Sequence, residues 1–124
     1  MNMLRTSCMI VRLQGDVLLL EALPVRIDSE SVRQVFAYVD TLLSRPFQTF
    51  WDLRQCRTPS KSVVFTCLRW SLSRRAALNR WNTKLCVLLD DRLVTVVNMV
   101  LRVFGPSCPV LVTCDESACV AFML

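Results

Sequence analysis

The segment KLCVLLDD, residues 84–91, decides how this chain of 124 residues folds. Residues 84–89 form a short run rich in apolar side chains, and an apolar run of this length predicts a β-strand. Asp90 and Asp91 end the run and offer N-cap side chains to the segment that follows. A strand that leads directly into a helix is the repeating unit of an α/β sheet, so the segment indicates this class.

The next segment, residues 92–104, predicts a helix with a very wide apolar face. After Arg92, only Thr95, Asn98 and Arg102 are polar, and their spacing of three and four residues places them on one narrow strip. Such a helix either packs in the core or forms an interface or the wall of an apolar pocket, and both explanations stay open. The candidate interface or pocket residues are Val94, Val97, Val100, Leu101 and Phe104.

The first third of the chain predicts a hairpin and a helix. Residues 8–13 and 17–23 are apolar runs separated by QGD, residues 14–16, which is typical of a β-hairpin turn. Asp28 and Ser29 form a good N-cap, and the helix that follows ends before Pro46. Its apolar stripe consists of Val32, Val35, Phe36, Val39, Leu42 and Leu43.

The remaining elements alternate between strand and helix. Residues 47–53 and 109–114 predict strands, and a short helix over residues 117–124 follows the second of them. Pro59 and Ser60 open a long helix over about residues 60–82. Its predicted inner side consists of Val64, Cys67, Leu68, Leu72 and Leu78.

The resulting order, β-β-α-β-α-β-α-β-α, predicts one α/β domain over residues 1–124. We expect a mixed, mostly parallel sheet of about five strands with about four helices, and an antiparallel edge from the opening hairpin. Local patterns leave the strand order open, because they do not encode which strands pair.

Several common sites are excluded by composition. The chain has no His and only two Gly, which removes His-based catalytic and metal sites and phosphate-binding Gly loops. Asp52, Asp90, Asp91 and Asp115 follow strands and are of the type that holds Mg²⁺, but helix capping explains most of them more simply. We therefore expect a protein that is not an enzyme and that carries no cofactor or metal.

The seven cysteines and the hydropathy pattern bear on the compartment. The number of cysteines is odd, and Cys67 and Cys86 lie inside apolar segments. We therefore expect free thiols in a reducing, intracellular and cytoplasmic setting. One inter-chain or regulatory disulfide stays open as an alternative. The most apolar window, residues 85–104, is interrupted by charged residues, so no transmembrane segment is predicted.

The net charge of +5 rests on 15 basic residues, of which all but Lys61 and Lys84 are arginines. Arg69, Arg74 and Arg75 on the long helix are candidate anion contacts, with tryptophans nearby that are able to stack on bases. Their spacing does not place all the arginines of this helix on one line. A solvated helix face is the preferred explanation, and nucleic acid is an unlikely partner.

Five segments resemble the STAS-like fold of sulfate transporter and anti-sigma-factor antagonist domains, in the branch grouped with CRAL-TRIO-like lipid-binding domains. They are FWDL at 50–53, KLCVLLDD at 84–91, VLRVFGP at 100–106, PVLVT at 109–113 and DESA at 115–118. In switch proteins of that type, the long helix begins at a phosphorylated Asp-Ser-Ser-Gly motif. This chain has TPSKS at residues 58–62, with no Gly and no Asp before the Ser. Ser60 is a candidate phosphosite, and a simple N-cap is the preferred explanation.

Two functions follow from the resemblance and the apolar helix. The first is a non-catalytic protein-interaction or regulatory domain, acting as a homo-oligomer, such as a homodimer, or as a subunit of a larger assembly. The second is a carrier or sensor of a small hydrophobic, lipid-like ligand. It requires an apolar cavity lined by the helix at residues 92–104 and closed by the long arginine-bearing helix.

Overall fold

The computed structural model describes residues 3–124. The strands are β1 (Met3–Arg5), β2 (Met9–Gln14), β3 (Val17–Ala22), β4 (Phe47–Asp52), β5 (Asn82–Leu88) and β6 (Val110–Thr113). The helices are α1 (Ser29–Asp40), α2 (Lys61–Ser73), α3 (Arg75–Trp81), α4 (Asp91–Phe104) and α5 (Glu116–Met123).

All the strands lie in one sheet, and their order in space follows their order in the chain. β1, β2 and β3 pair antiparallel, whereas β3, β4, β5 and β6 pair parallel. The hairpin between β2 and β3 turns at Gly15, whose positive φ of 62° suits a residue without a side chain. The predicted α/β class with a mostly parallel sheet is thereby confirmed.

Two element counts differ from the sequence-based prediction. Met3–Arg5 adds a sixth strand, because this short segment pairs antiparallel with β2. The predicted long helix is broken at Arg74 into α2 and α3. At the break, the Ser73 hydroxyl donates a hydrogen bond of 2.8 Å to the Trp70 carbonyl, and such back-bonding bends helices.

The helices cover the two faces of the sheet unequally. α1, α2 and α4 pack their apolar residues on one face, whereas α5 packs on the other face over β5 and β6. β5 is therefore covered on both sides, and residues 85–89 are at most 3% exposed. This burial on both faces explains why that segment is apolar without alternation.

The predicted inner side of the long helix is correct only in part, because Cys67 and Leu78 pack against the core while other predicted positions do not. Val63 is buried, whereas Val64 and Leu72 are exposed. Trp70 fixes this rotation of the helix, because its ring stacks on Phe36 of α1 with the ring centroids 4.2 Å apart. α2 carries apolar residues on two neighbouring faces, so periodicity alone did not decide which face is buried.

Within residues 3–124, no helix combines the length and the hydropathy that crossing a bilayer requires.

Candidate functional site

The five apolar residues that the sequence singled out on α4 divide into two groups. Val94, Val97 and Leu101 pack against Leu85 and Val87 of the sheet. The other two, at positions 100 and 104, are about 40% exposed. Core packing therefore accounts for only part of the wide apolar face.

An exposed apolar stripe runs beside the packed one. Val96, Met99 and Val103 are exposed by 58%, 63% and 64%, and Val100 lies among them. The spacing of these positions, three or four residues apart, places them on one side of the helix. Val96 was missed at the sequence level, although its helical spacing from Val100 was the signal that could have found it.

α2 presents a second exposed apolar group. Phe65 is 65% exposed, and Val64 and Leu72 are also exposed. Leu68 lies between them on the same side and is half-buried. Since α2 and α4 contact each other, two neighbouring helices leave large apolar side chains in solvent. We call the exposed apolar residues of both helices the α2–α4 surface; they are Val64, Phe65, Leu72, Val96, Met99, Val100, Val103 and Phe104.

An apolar cleft of about 100 Å³ lies between these helices, with the sheet as its floor. Leu101 and Phe104 of α4 line one wall, and Trp70 of α2 lines another. On the floor, the Thr49 hydroxyl donates a hydrogen bond of 3.0 Å to the Asn82 side-chain oxygen, so these buried polar groups satisfy each other. The cleft is therefore mostly apolar.

Gly105 closes the end of α4 beside this cleft. Its amide donates to the Leu101 carbonyl at 2.9 Å. A Cβ atom at position 105 would lie 2.2 Å from that same carbonyl oxygen, so the helix ends in this geometry only with Gly. The predicted Gly stop signal thus has a steric cause.

The three candidate anion contacts do not form one site. Arg69 faces the hollow between α1 and α2, together with Arg33. Arg74 is paired with Asp40 of α1, through its Nε at 2.9 Å and its terminal nitrogen at 3.2 Å. Arg75 lines the apolar cleft. The structure separates these residues instead of collecting them around one anion.

The carboxylates at the strand ends make local contacts. Asp90 accepts from the Arg92 amide and caps α4, and Asp115 accepts from the Ser117 amide and caps α5. The Asp52 carboxylate accepts two bonds from the Arg54 guanidinium, which lower its pKa. Within residues 3–124, no group of three or more Cys, Asp or Glu side chains could hold a metal ion.

Ser60 occupies the N-cap position of α2, where its hydroxyl oxygen accepts a hydrogen bond from the Val63 amide at 3.3 Å. This contact is the capping role that was preferred from the sequence pattern. Phosphorylation of Ser60 stays a prediction.

The arrangement of sheet and helices is a STAS-like, or SpoIIAA-like, fold, and the predicted resemblance is confirmed at this level. The sequence matches no protein-family model and no curated protein. One similar solved structure is a DUF3478-family protein with a SpoIIAA-like fold from Shewanella loihica. Its TM-score is 0.70 and its sequence identity is 10%, with 94% of this chain and 92% of that chain covered.

A second similar structure is SiaC of Pseudomonas aeruginosa, in its complex with the diguanylate cyclase SiaD, which it activates. The TM-score is 0.58 and the identity is 16%, with 88% of this chain and 93% of that chain covered. At these identities both comparisons establish the fold.

Proposed function

We propose that this protein is a non-catalytic interaction domain with a regulatory role, acting as a homo-oligomer or as a subunit of a larger assembly. The observation that carries the proposal is the α2–α4 surface, where two adjacent helices expose eight large apolar side chains. Large exposed apolar patches are uncommon on monomeric proteins and mark sites of association.

The similarity to SiaC supports the same proposal. SiaC is described as the activator of a cyclase with which it forms a complex, so a chain of this fold acts there by binding another protein. For the present chain we infer the same kind of activity, a regulatory effect exerted through a protein contact. We infer also that it takes place in the cytoplasm, where cysteines stay reduced.

Native mass spectrometry of the protein, isolated from cell extract without detergent, tests the proposal. We expect a homo-oligomer or a stable complex with another protein. Val103→Asp, on the exposed stripe of α4, should dissociate it, whereas Val120→Asp, at an exposed position of α5, should leave it intact. A monomer under all conditions would contradict the proposal. Val97 is unsuitable for this test, because it packs on the sheet.

The apolar cleft favours a second function, carriage of a small hydrophobic ligand. Its walls come from α4 and from the arginine-bearing helices α2 and α3, as that function requires. The cleft of about 100 Å³ is smaller than the roughly 300–1,000 Å³ of common ligand sites, so the helices would have to separate around a lipid. A monomer with an additional mass of a few hundred daltons in the same spectrum would establish this function in place of the first.

A further inference from the structure

α5 is a helix of eight residues, which is too short for a helix to be stable on its own. In the part of the chain that the structure describes, its one buried residue is Cys119. Near the end of the helix, Lys84 donates a hydrogen bond of 2.7 Å to the Phe122 carbonyl. Near its start, Arg54 donates one of 3.5 Å to the Glu116 carboxylate. A helix attached at so few points opens more easily than the central strands of the sheet.

Under α5, the thiols of Cys86 and Cys119 face each other. Cys86 lies in β5, which is paired on both sides, whereas Cys119 lies in the helix. Their sulfur atoms are 2.8 Å apart, and both residues are fully buried. The sulfur atoms of a disulfide bond are about 2.05 Å apart, so these two need to approach by only about 0.8 Å. The side chains packed around them are apolar, among them Leu88 and Phe122, so the reactive group that each thiol meets is the other thiol.

We infer that Cys86 and Cys119 form a disulfide bond when the surrounding thiol pool becomes oxidising. The bond fastens α5 to β5 and encloses α4 and β6 in the loop between the two cysteines. In a reducing compartment the same pair stays as two thiols. The inference is independent of the proposed function, because neither cysteine belongs to the α2–α4 surface.

Thiol–disulfide exchange with a small disulfide, oxidised glutathione, supplies the two steps. When α5 opens, the Cys119 thiol loses its proton and its sulfur attacks glutathione disulfide. The bond between the two glutathione sulfurs breaks, a new bond joins Cys119 to one glutathione, and the other leaves as a thiolate that takes up a proton. As α5 returns to the sheet, the Cys86 thiol loses its proton and attacks the Cys119 sulfur, which releases the second glutathione as a thiol. The two protein thiols are thereby oxidised, and one glutathione disulfide is reduced to two glutathione molecules.

Peptide mapping of the intact protein tests the inference. The native protein is incubated with oxidised glutathione at about pH 8, where exposed thiols react. The remaining thiols are then alkylated in denaturant, and the digest is analysed by mass spectrometry. We expect two peptides joined through Cys86 and Cys119, which form more slowly than the mixed disulfide at the exposed Cys114. Dithiothreitol should separate the two peptides.

Three single variants assign the steps. Cys86→Ala should stop at the mixed disulfide between glutathione and Cys119, because the second thiol is missing. Cys119→Ala should leave Cys86 unmodified, because Cys86 stays buried in its strand. Cys114→Ala removes an exposed thiol, is the matched control and should form the bond between Cys86 and Cys119 at the rate of the parent chain.

The oxidised protein should also be more stable than the reduced protein. A crosslink over the loop from residue 86 to residue 119 restricts the unfolded chain. We expect the urea midpoint to rise by about 1 M or more. Amide hydrogen exchange in α5 should slow about tenfold or more, because the bond prevents the helix from opening. Dithiothreitol should reverse both changes.

Three results would overturn the inference. The first is no joined pair of peptides after Cys114 has been fully converted to its mixed disulfide. The second is a bond that forms only in urea, which would show that the folded protein does not expose Cys119. The third is a lower urea midpoint in the oxidised protein, which would show that β5 and α5 do not accommodate the bond.

Discussion

The sulfur atoms of Cys86 and Cys119 lie 2.8 Å apart in the layer between β5 and α5. Both residues are fully buried, and both thiols are free. Together with Leu88 they form the core that attaches the last helix to the sheet. The pair thus serves as apolar packing, in agreement with the expectation of free, buried cysteines.

This burial predicts selective thiol chemistry. Burial and the bond to Cys119 raise the pKa of Cys86 from 9.0 to about 12, so little of it is thiolate at pH 8. Iodoacetamide at this pH should modify the exposed Cys114 of the native protein and leave Cys86 and Cys119 unmodified. Peptide mapping by mass spectrometry measures this, with a denatured sample as the control. Equal rates at Cys86 and Cys114 would show that α5 does not stay packed.

The same shifts predict a loss of stability in alkali. Burial raises the pKa of Cys67 from 9.0 to about 11, and that of Cys86 to about 12. Above pH 9 the unfolded chain releases these protons while the native protein retains them, so the free energy of unfolding should fall as the pH rises toward 11. Urea titrations at a series of pH values measure this slope. Cys67→Ala should make this slope flatter than in the parent chain. An unchanged slope would contradict the assignment of part of the pH dependence to Cys67.

The ion pair between Arg74 and Asp40 should stabilise the contact between α1 and the α2–α3 break. The pair has two hydrogen bonds and is partly buried, so we expect Arg74→Ala to cost about 0.5–1 kcal/mol in the free energy of unfolding. A double-mutant cycle with Asp40→Asn separates the pair from other effects. Arg92→Ala is the matched control, because its pair with Asp90 is exposed and should contribute nothing measurable. A coupling energy of zero would contradict the prediction.

Gly105→Ala should be costly for a steric reason. The added Cβ would lie 2.2 Å from the Leu101 carbonyl oxygen, so the end of α4 must shift. We expect a loss of about 1–3 kcal/mol in the free energy of unfolding, measured by chemical denaturation. Thr95→Ala, at an exposed position of the same helix, is the control and should change stability by about 0.5 kcal/mol or less. Equal stabilities of the two variants would show that the helix end adapts to a side chain.

Much of the fold was predictable because its signals are local. The apolar run before Asp90, the N-caps at Asp28 and Asp115 and the Gly at the end of α4 each act within a few residues. They predicted where most strands and helices begin and end. β1 was missed, because three residues carry no usable period and pair only when β2 is beside them.

The candidate site was predictable only in part. The wide apolar face of α4 was evident from the spacing of its polar residues, but the sequence did not divide it into a packed and an exposed stripe. On α2, Cys67 was correctly predicted to face the core, but Val64 and Leu72 were predicted to be inside and are exposed. The two apolar faces of this helix have the same helical period, and only the stacking of Trp70 on Phe36 determines which one is buried.

The sequence by itself determined the class of fold, the positions of most elements and the absence of histidine chemistry, because composition, caps and periodicity act locally. The tertiary structure decided the strand order, the break at Arg74 and the cleft between α2 and α4. The physical reason is that these features depend on contacts between distant segments, such as Arg74 with Asp40. Local patterns permit such contacts, but only packing of the whole chain selects among them.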